Sequence, residues 1–292
     1  MKKYFKLLRV KNYIKNILIL LPAVFSKKLL DVSVLPEIFF GVASFCALSS
    51  AVYIFNDLCD YKRDKLHPGK CNRPIASGKI SRKTAVFTML VFLALSVVFN
   101  YFACGRNIAP WIILLTYLLQ NVLYSLKLKQ IPVVDIIILV IGFLLRIYYG
   151  SEIIGVSVSN WLYLTVLAIS FYLGLGKRRN EIVVSGEKES RSVLCFYSYD
   201  FLDKNMYVCS GLAIVFYSLW CVDAATIANF GSNKMIWTIP LIILICITYS
   251  HSAEKCEVDD PIDIIFKNKF ILLLGLIYGA SVIGIIYFLG AK

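Results

Sequence analysis

The segment Asn56-Asp57-Leu58-Cys59-Asp60-Tyr61-Lys62-Arg63-Asp64 sets three carboxylates at i, i+3 and i+7, which share one face if the segment is helical. Acids gathered at the C-terminal end of a helix oppose its macrodipole and one another, so positive charge must meet them. Mg2+ would supply it, because this ion takes one or two carboxylates and completes its shell with water and substrate phosphates. The competing reading is plain solvated acids neutralised by Lys62, Arg63 and Lys65. The next residues, His67-Pro68-Gly69-Lys70-Cys71-Asn72-Arg73-Pro74-Ile75-Ala76-Ser77-Gly78-Lys79, favour a ligand. They put Lys70, Arg73 and Lys79 beside turn residues, and cations with closely approaching backbone donors are what hold phosphate. The expectation is that Asp57, Asp60 and Asp64 hold Mg2+ and a pyrophosphate, with Asn56 orienting them.

Other chemistry-bearing residues are less specific. Cys59, His67 and Cys71 share this loop, yet no fourth ligand accompanies them and their spacing fits no common zinc site. The nine cysteines are scattered without a CxxC pair, which suits small buried hydrophobes better than a disulfide framework. Arg146 lies well inside an apolar run, where a charge is either functional or snorkels to the nearby interface. His251 and the acids Glu257, Asp259, Asp260 and Asp263 read as a solvated loop.

The elements that must carry these residues are membrane helices. The chain has 292 residues, 59% hydrophobic and 17% charged, against roughly 45–50% and 25% in soluble domains. Windows of about 20 apolar residues, the length that crosses a bilayer, occur near 14–30, 36–56, 84–104, 108–126, 132–150, 160–176, 206–228, 235–251 and 269–289. The expected fold is therefore all-α, a polytopic protein of nine transmembrane helices forming one domain over 1–292. The first window follows basic residues, as a secretory signal would, but lacks a small-residue cleavage site. An amphipathic segment from Tyr4 to Tyr13 is expected to lie along the interface before it.

Lys and Arg crowd alternate loops. One set holds Lys2 to Lys15, Lys62 to Lys83, Lys127 and Lys129, Lys177 to Lys204 and Lys255 to Lys269, and the other only Lys27, Lys28, Arg106, Lys234 and Lys292. Positive residues stay on the cytosolic side, so the N-terminus and the long polar loops at about 57–83 and 177–205 are expected to face the cytosol, with the C-terminus outside. The net charge of +13 then follows topology, and no nucleic-acid-binding module accompanies it.

The pattern Asn56-Asp57-x-x-Asp60-x-x-x-Asp64 resembles the first aspartate motif of the UbiA superfamily of intramembrane prenyltransferases, all-helical nine-span enzymes that bind a diphosphate through Mg2+. With His67-Pro68, Lys70 and Arg73 to Gly78, the string is similar to the branch that couples phosphoribosyl pyrophosphate to a polyprenyl phosphate. Further matches are Lys15-Asn16, Tyr124-Ser125, Leu128-Lys129, Asp135, Gly142-Phe143 with Arg146, and Gly176-Lys177-Arg178 with Glu181. The chain departs from the pattern at Val10, where a proline is expected after Arg9, and at Asn268-Lys269, where an acidic-basic pair is expected. Prenyl-transferring members carry a second Asp-rich motif, whereas this chain has Gly176-Lys177-Arg178-Arg179-Asn180-Glu181, which suits a donor with an extra phosphate.

The resemblance implies a membrane-embedded phosphoribosyltransferase with Mg2+ as cofactor, acting on phosphoribosyl pyrophosphate and a polyprenyl phosphate such as decaprenyl phosphate in cell-envelope precursor synthesis. Lys15, Asn16, Lys70, Arg73, Tyr124, Lys129, Lys177 and Arg178 would bind substrate. Two alternatives stand beside it: prenyl transfer from a prenyl diphosphate to an aromatic or lipid acceptor, and a lipid-phosphate transporter. A transporter would distribute polar residues through the membrane depth and break its helices in paired halves. Membrane lipids are partners in every case, and a homo-oligomer is left open.

Overall fold

The computed structural model describes residues 2–66, 70–185, 192–255 and 260–289. His67, Pro68, Gly69, Glu257, Asp259 and Lys292, named above, lie outside them, as does part of the expected polar loop 177–205. Among the described residues the regular elements are helices: α1 (Lys2–Leu8), a 3-10 rod (Val10–Leu20), α2 (Leu21–Phe25), α3 (Leu35–Leu66), α4 (Arg82–Cys104), α5 (Ile108–Leu126) and α6 (Val134–Ile153). They continue as α7 (Asn160–Ser185), α8 (Tyr199–Val222), α9 (Ala224–Phe230), α10 (Ile239–Lys255), α11 (Pro261–Lys267) and α12 (Lys269–Tyr287).

Short polar residues start several of these helices by accepting from otherwise unpaired backbone N–H groups. Ser81 caps α4, Asn107 caps α5, Ser198 caps α8, and Asn268 caps α12 through both Phe270 and Ile271. The amide of Asn268 also donates to Ser252 Oγ at 2.7 Å, so this departure from the family pattern serves a helix junction. Asp260, expected in a solvated loop, caps α11.

Among the described residues seven helical stretches are long and apolar enough to cross a membrane: Val32–Leu66, Arg82–Cys104, Ile108–Leu126, Val134–Ile153, Tyr199–Val222, Lys234–Lys255 and Lys269–Tyr287. By this measure of length and composition, two of the nine expected spans are not among them. The first expected window is split between the 3-10 rod and five-residue α2. The sixth lies in α7, 26 residues long, whose C-terminal part carries Lys177, Arg178, Arg179 and Glu181. Large apolar side chains face outward along α4, among them Phe87, Leu90, Val97 and Phe102, as lipid-facing helices require. The chain is a multi-pass membrane protein.

The described residues divide into two compact units. One comprises Met1–Ala23, Lys28–Ile138 and Leu145–Ser157; the other Val24–Lys27, Leu139–Leu144 and Val158–Lys292. In the first, α3 is the central helix, with 61% of its apolar window buried against 17% for α4. Phe45 on α3 packs against the rings of Tyr117 and Tyr149 at 4.7 and 5.3 Å, and Ser44 donates to the Ser96 carbonyl at 2.8 Å. In the second unit, Tyr217, Trp220, Phe230, Met235 and Ile286 form the core, while Tyr172 pairs with Ser250 at 2.7 Å.

A smaller cluster in the first unit fixes what surrounds the end of α3. Leu7, Ile54, Ile75, Ile80 and Ala85 pack together, joining α1, α3, the following loop and α4. The expected amphipathic N-terminal segment is thus a short helix with Leu7 fully buried and Tyr4 and Phe5 exposed. Because Leu7 locks α1 to that cluster, Leu7→Ala is expected to cost about 2–5 kcal/mol. A lower thermal midpoint in detergent, with Phe5→Ala near wild type, would check it.

Candidate active site

Asp57, Asp60 and Asp64 lie on one face of the last turns of α3 and are 2%, 8% and 4% exposed. Solvated acids on a helix end would not be buried in this way. Four cations surround them. Arg9 is hydrogen-bonded to Asp57, and Arg73 Nη1 donates to both Asp57 at 3.1 Å and Asp64 at 2.7 Å. Lys129 Nζ and Arg63 Nη2 reach Asp60 at 2.6 and 2.8 Å. Four positive groups against three carboxylates leave one positive charge in excess.

Each cation is delivered by a different device. Arg73 opens a compact loop in which Ser77 N and Oγ both bond its carbonyl at 2.8 Å, and Ile80 N bonds Pro74 O at 3.0 Å. Ile75, Ala76 and Ile80 are buried beneath it, and Gly78 at φ +73° allows the turn. The sequence Arg73-Pro74-Ile75-Ala76-Ser77-Gly78 is therefore a scaffold that seats one guanidinium. Lys129 sits in a 3-10 turn after α5 (Leu128–Gln130) and is 4% exposed. Val133, just beyond, adopts φ +68°, a strained conformation for a β-branched residue.

Arg9 is the residue that the motif reading left out. It too has positive φ, 50°, between α1 and the 3-10 rod, and its guanidinium lies 4.9 Å from the Tyr53 ring. Its sequence signals were its place before Val10 in the family pattern, to which no role was attached, and a basic N-terminus that topology alone explains.

The contacts fall on one oxygen of each carboxylate, Asp57 Oδ1, Asp60 Oδ1 and Asp64 Oδ2, which leaves the second oxygen of each as a hard ligand. Asp57 and Asp64 are about 10 Å apart along the helix at ~1.5 Å per residue, and among the described residues no three His, Cys, Asp or Glu side chains gather to hold one ion. The set fits Mg2+ bound by one or two carboxylates with phosphate oxygens completing the shell, and it is not a closed cage.

The remaining expected residues are distributed as follows. Asn56 Oδ1 accepts from Ser125 Oγ at 3.2 Å, which ties the start of the motif to α5; Tyr124 is half-buried beside it. Lys70 is half-buried in the loop before Arg73, and Lys15 is half-buried on the 3-10 rod. Asn16 is bonded to Arg146 and Cys46, and Cys46 lies eleven residues before Asp57 on α3, about 16 Å away. Arg146 is 4% exposed and does not snorkel.

Lys177 and Arg178 belong to the second unit. Arg178 is fully buried against Glu181 at 2.6 Å, and Arg179 is buried beside Tyr199 and Asp203. Arg179 Nε and Asp203 Oδ1 form an ion pair at 2.7 Å without hydrogen-bond geometry.

Removing one partner of a buried ion pair leaves an uncompensated charge, at about 3–5 kcal/mol. Asp60→Asn is expected to lower the thermal midpoint by stranding Lys129. Lys204→Ala, which breaks a pair exposed on both sides at 3.5 Å, should change stability by less than about 1 kcal/mol.

The chain is similar to known proteins in sequence and in fold. The chain is 26% identical to the decaprenyl-phosphate phosphoribosyltransferase of Corynebacterium glutamicum over 97% of its length and 86% of that protein's. It is 28% identical to the protein of that name from Mycobacterium tuberculosis, covering 95% of this chain and 92% of the relative. Its fold is similar to the solved structure of a UbiA homolog from Archaeoglobus fulgidus bound to GPP and Mg2+, with a TM-score of 0.70, 22% identity and coverage of 97% and 99%. The model of the UbiA prenyltransferase family matches residues 19–176, which include the whole acid cluster and the Lys129 turn. The chain is a membrane transferase and belongs to the UbiA prenyltransferase family.

Proposed function

We propose that the protein transfers a phosphoribosyl group from phosphoribosyl pyrophosphate to a polyprenyl phosphate, such as decaprenyl phosphate, releasing pyrophosphate. The observation that carries this reading is the acid cluster with its excess of cations. Three carboxylates with one open oxygen each suit Mg2+, and Arg9, Arg73 and Lys129 can turn from carboxylate to phosphate when a metal-bound anion arrives. Two relatives of nearly equal length bear the name decaprenyl-phosphate phosphoribosyltransferase, which favours this donor and acceptor.

The acceptor is already an anion, so its phosphate oxygen attacks the anomeric carbon without a dedicated general base. As that C–O bond forms, the bond to pyrophosphate breaks and pyrophosphate leaves with the electron pair. When bound, Mg2+ would supply charge neutralisation for the leaving pyrophosphate. The chain's own residues orient and neutralise: Asp57, Asp60 and Asp64 hold the metal side, Asn56 sets the start of the motif against Ser125, and Arg73 and Lys129 bind phosphate oxygens. Lys15, Lys70, Tyr124, Lys177 and Arg178 are proposed as further substrate contacts, while Asn16, bonded to Arg146 and Cys46, is proposed to act on the site through the 3-10 rod that carries it. The cluster and the N-terminus face the cytosol and the C-terminus lies outside, in keeping with the loop charges.

A second reading is prenyl transfer, favoured by the printed ligand of the Archaeoglobus fulgidus homolog, GPP with Mg2+. One assay separates them. Purified protein with Mg2+ receives either labelled phosphoribosyl pyrophosphate plus polyprenyl phosphate, or a labelled prenyl diphosphate plus an aromatic acceptor. Label is expected in the lipid product of the first pair, and labelling by the second alone would replace the proposal. Asp57→Asn and Asp60→Asn should each lower turnover on the order of 10²-fold or more, and wild-type rates in either would contradict the metal assignment.

A further inference from the structure

The rod Val10–Leu20 is eleven residues of 3-10 helix, whereas runs beyond three or four are uncommon. Three residues per turn stack Tyr13, Asn16 and Ile19 on one edge, and all three are docked. Tyr13 pairs with Ser50 at 2.7 Å, and Ser50 donates to the Leu8 carbonyl at 3.0 Å. Asn16 Nδ2 donates to Cys46 Sγ at 3.1 Å, and its Oδ1 accepts from Arg146 Nε at 2.8 Å. At Ile19 the backbone meets Gly150, where an added Cβ would lie 2.1 Å from the Ile19 carbonyl oxygen. Cys46 and Ser50 are one turn apart on α3, and Arg146 and Gly150 one turn apart on α6, so two rails grip one edge of the rod.

Arg146 is itself held in place. Its Nη2 donates to Tyr117 OH at 2.9 Å, and its guanidinium lies 5.1 and 4.9 Å from the Phe45 and Tyr117 rings. At the other end the rod begins directly after Arg9, whose side chain grips Asp57. Seven residues at about 2 Å each separate Arg9 from Asn16, so a slip of one residue would carry Arg9 roughly 2 Å off its carboxylate.

We propose that Arg146 is a positioning residue for the acid cluster: by fixing Asn16 it sets the register of the 3-10 rod, and thereby the place of Arg9 at Asp57. The inference rests on the cluster binding Mg2+ with a pyrophosphate group. It gives Arg146 an effect on anion affinity from a site remote from the acids, and that effect passes through Arg9.

Calorimetric titration of the full-length protein in detergent with Mg2+ and inorganic pyrophosphate tests it. Arg9→Gln is expected to weaken binding about tenfold, the worth of roughly one charge-assisted hydrogen bond, and Arg146→Gln several-fold. The double variant should bind like Arg9→Gln alone, because residues acting through one contact are not additive. Arg146→Lys, which keeps the charge and loses the planar fork, should behave like Arg146→Gln. If Arg146→Gln does not fold, Gly150→Ala displaces the same rod at Ile19 and should give the same Arg9-dependent loss. Wild-type binding with unchanged affinity in Arg146→Gln, or with an equal loss whether or not Arg9 is present, would overturn the inference alone. No binding by wild type would overturn the reading of the cluster with it.

Discussion

Three carboxylates buried within the last turns of one helix are the constraint around which the first unit is arranged. Ions taken out of water cost several kcal/mol each unless opposite charge and hydrogen bonds replace the lost hydration, and the helix C-terminus adds to the penalty. The chain meets this cost by bringing cations from widely separated positions to the end of α3. Arg9 comes from the N-terminus, Arg73 from a self-bonded loop and Lys129 from the turn after α5, while Arg63 is supplied by α3 itself. The N-terminal rod, the loop after α3 and the α5–α6 turn all serve that neutralisation.

The same arrangement accounts for ligand chemistry. A site whose acids are satisfied by flexible guanidinium and ammonium groups is stable when empty, yet its cations can be reassigned to phosphate oxygens when a metal joins the carboxylates. Among the described residues three non-glycine residues have positive φ, Arg9, Lys27 and Val133, and two of them, Arg9 and Val133, flank segments that deliver cations, which places backbone strain beside the cluster. In the second unit, Arg178 and Arg179 are also buried against acids; topology alone would have left such residues solvated at the membrane face.

What was legible in the sequence was what depends on local spacing. The i, i+3, i+7 acids declare a shared face because α3 continues unbroken through them, and apolar length declares the spans. Arg73 was readable because proline and glycine mark the turn that seats it. Arg9 was not, because its role depends on a left-handed residue and on docking through Leu7, Tyr13 and Ser50, none of which leaves a periodic signal. Arg146 was seen as an intramembrane charge, but its partners Asn16 and Tyr117 are 130 and 29 residues away. The first apolar window reads as one continuous helix, whereas the eclipsed docking of Tyr13, Asn16 and Ile19 draws part of it into a 3-10 rod that composition does not reveal.

The most direct test of the account is a structure of the protein with Mg2+ and pyrophosphate bound. It should show the anion at the end of α3, metal-linked to the open oxygens of Asp57, Asp60 or Asp64, with Arg73 and Lys129 moved from carboxylate to phosphate oxygens. A bound pyrophosphate elsewhere, with Arg73 and Lys129 still paired to the three acids as in the free protein, would contradict it.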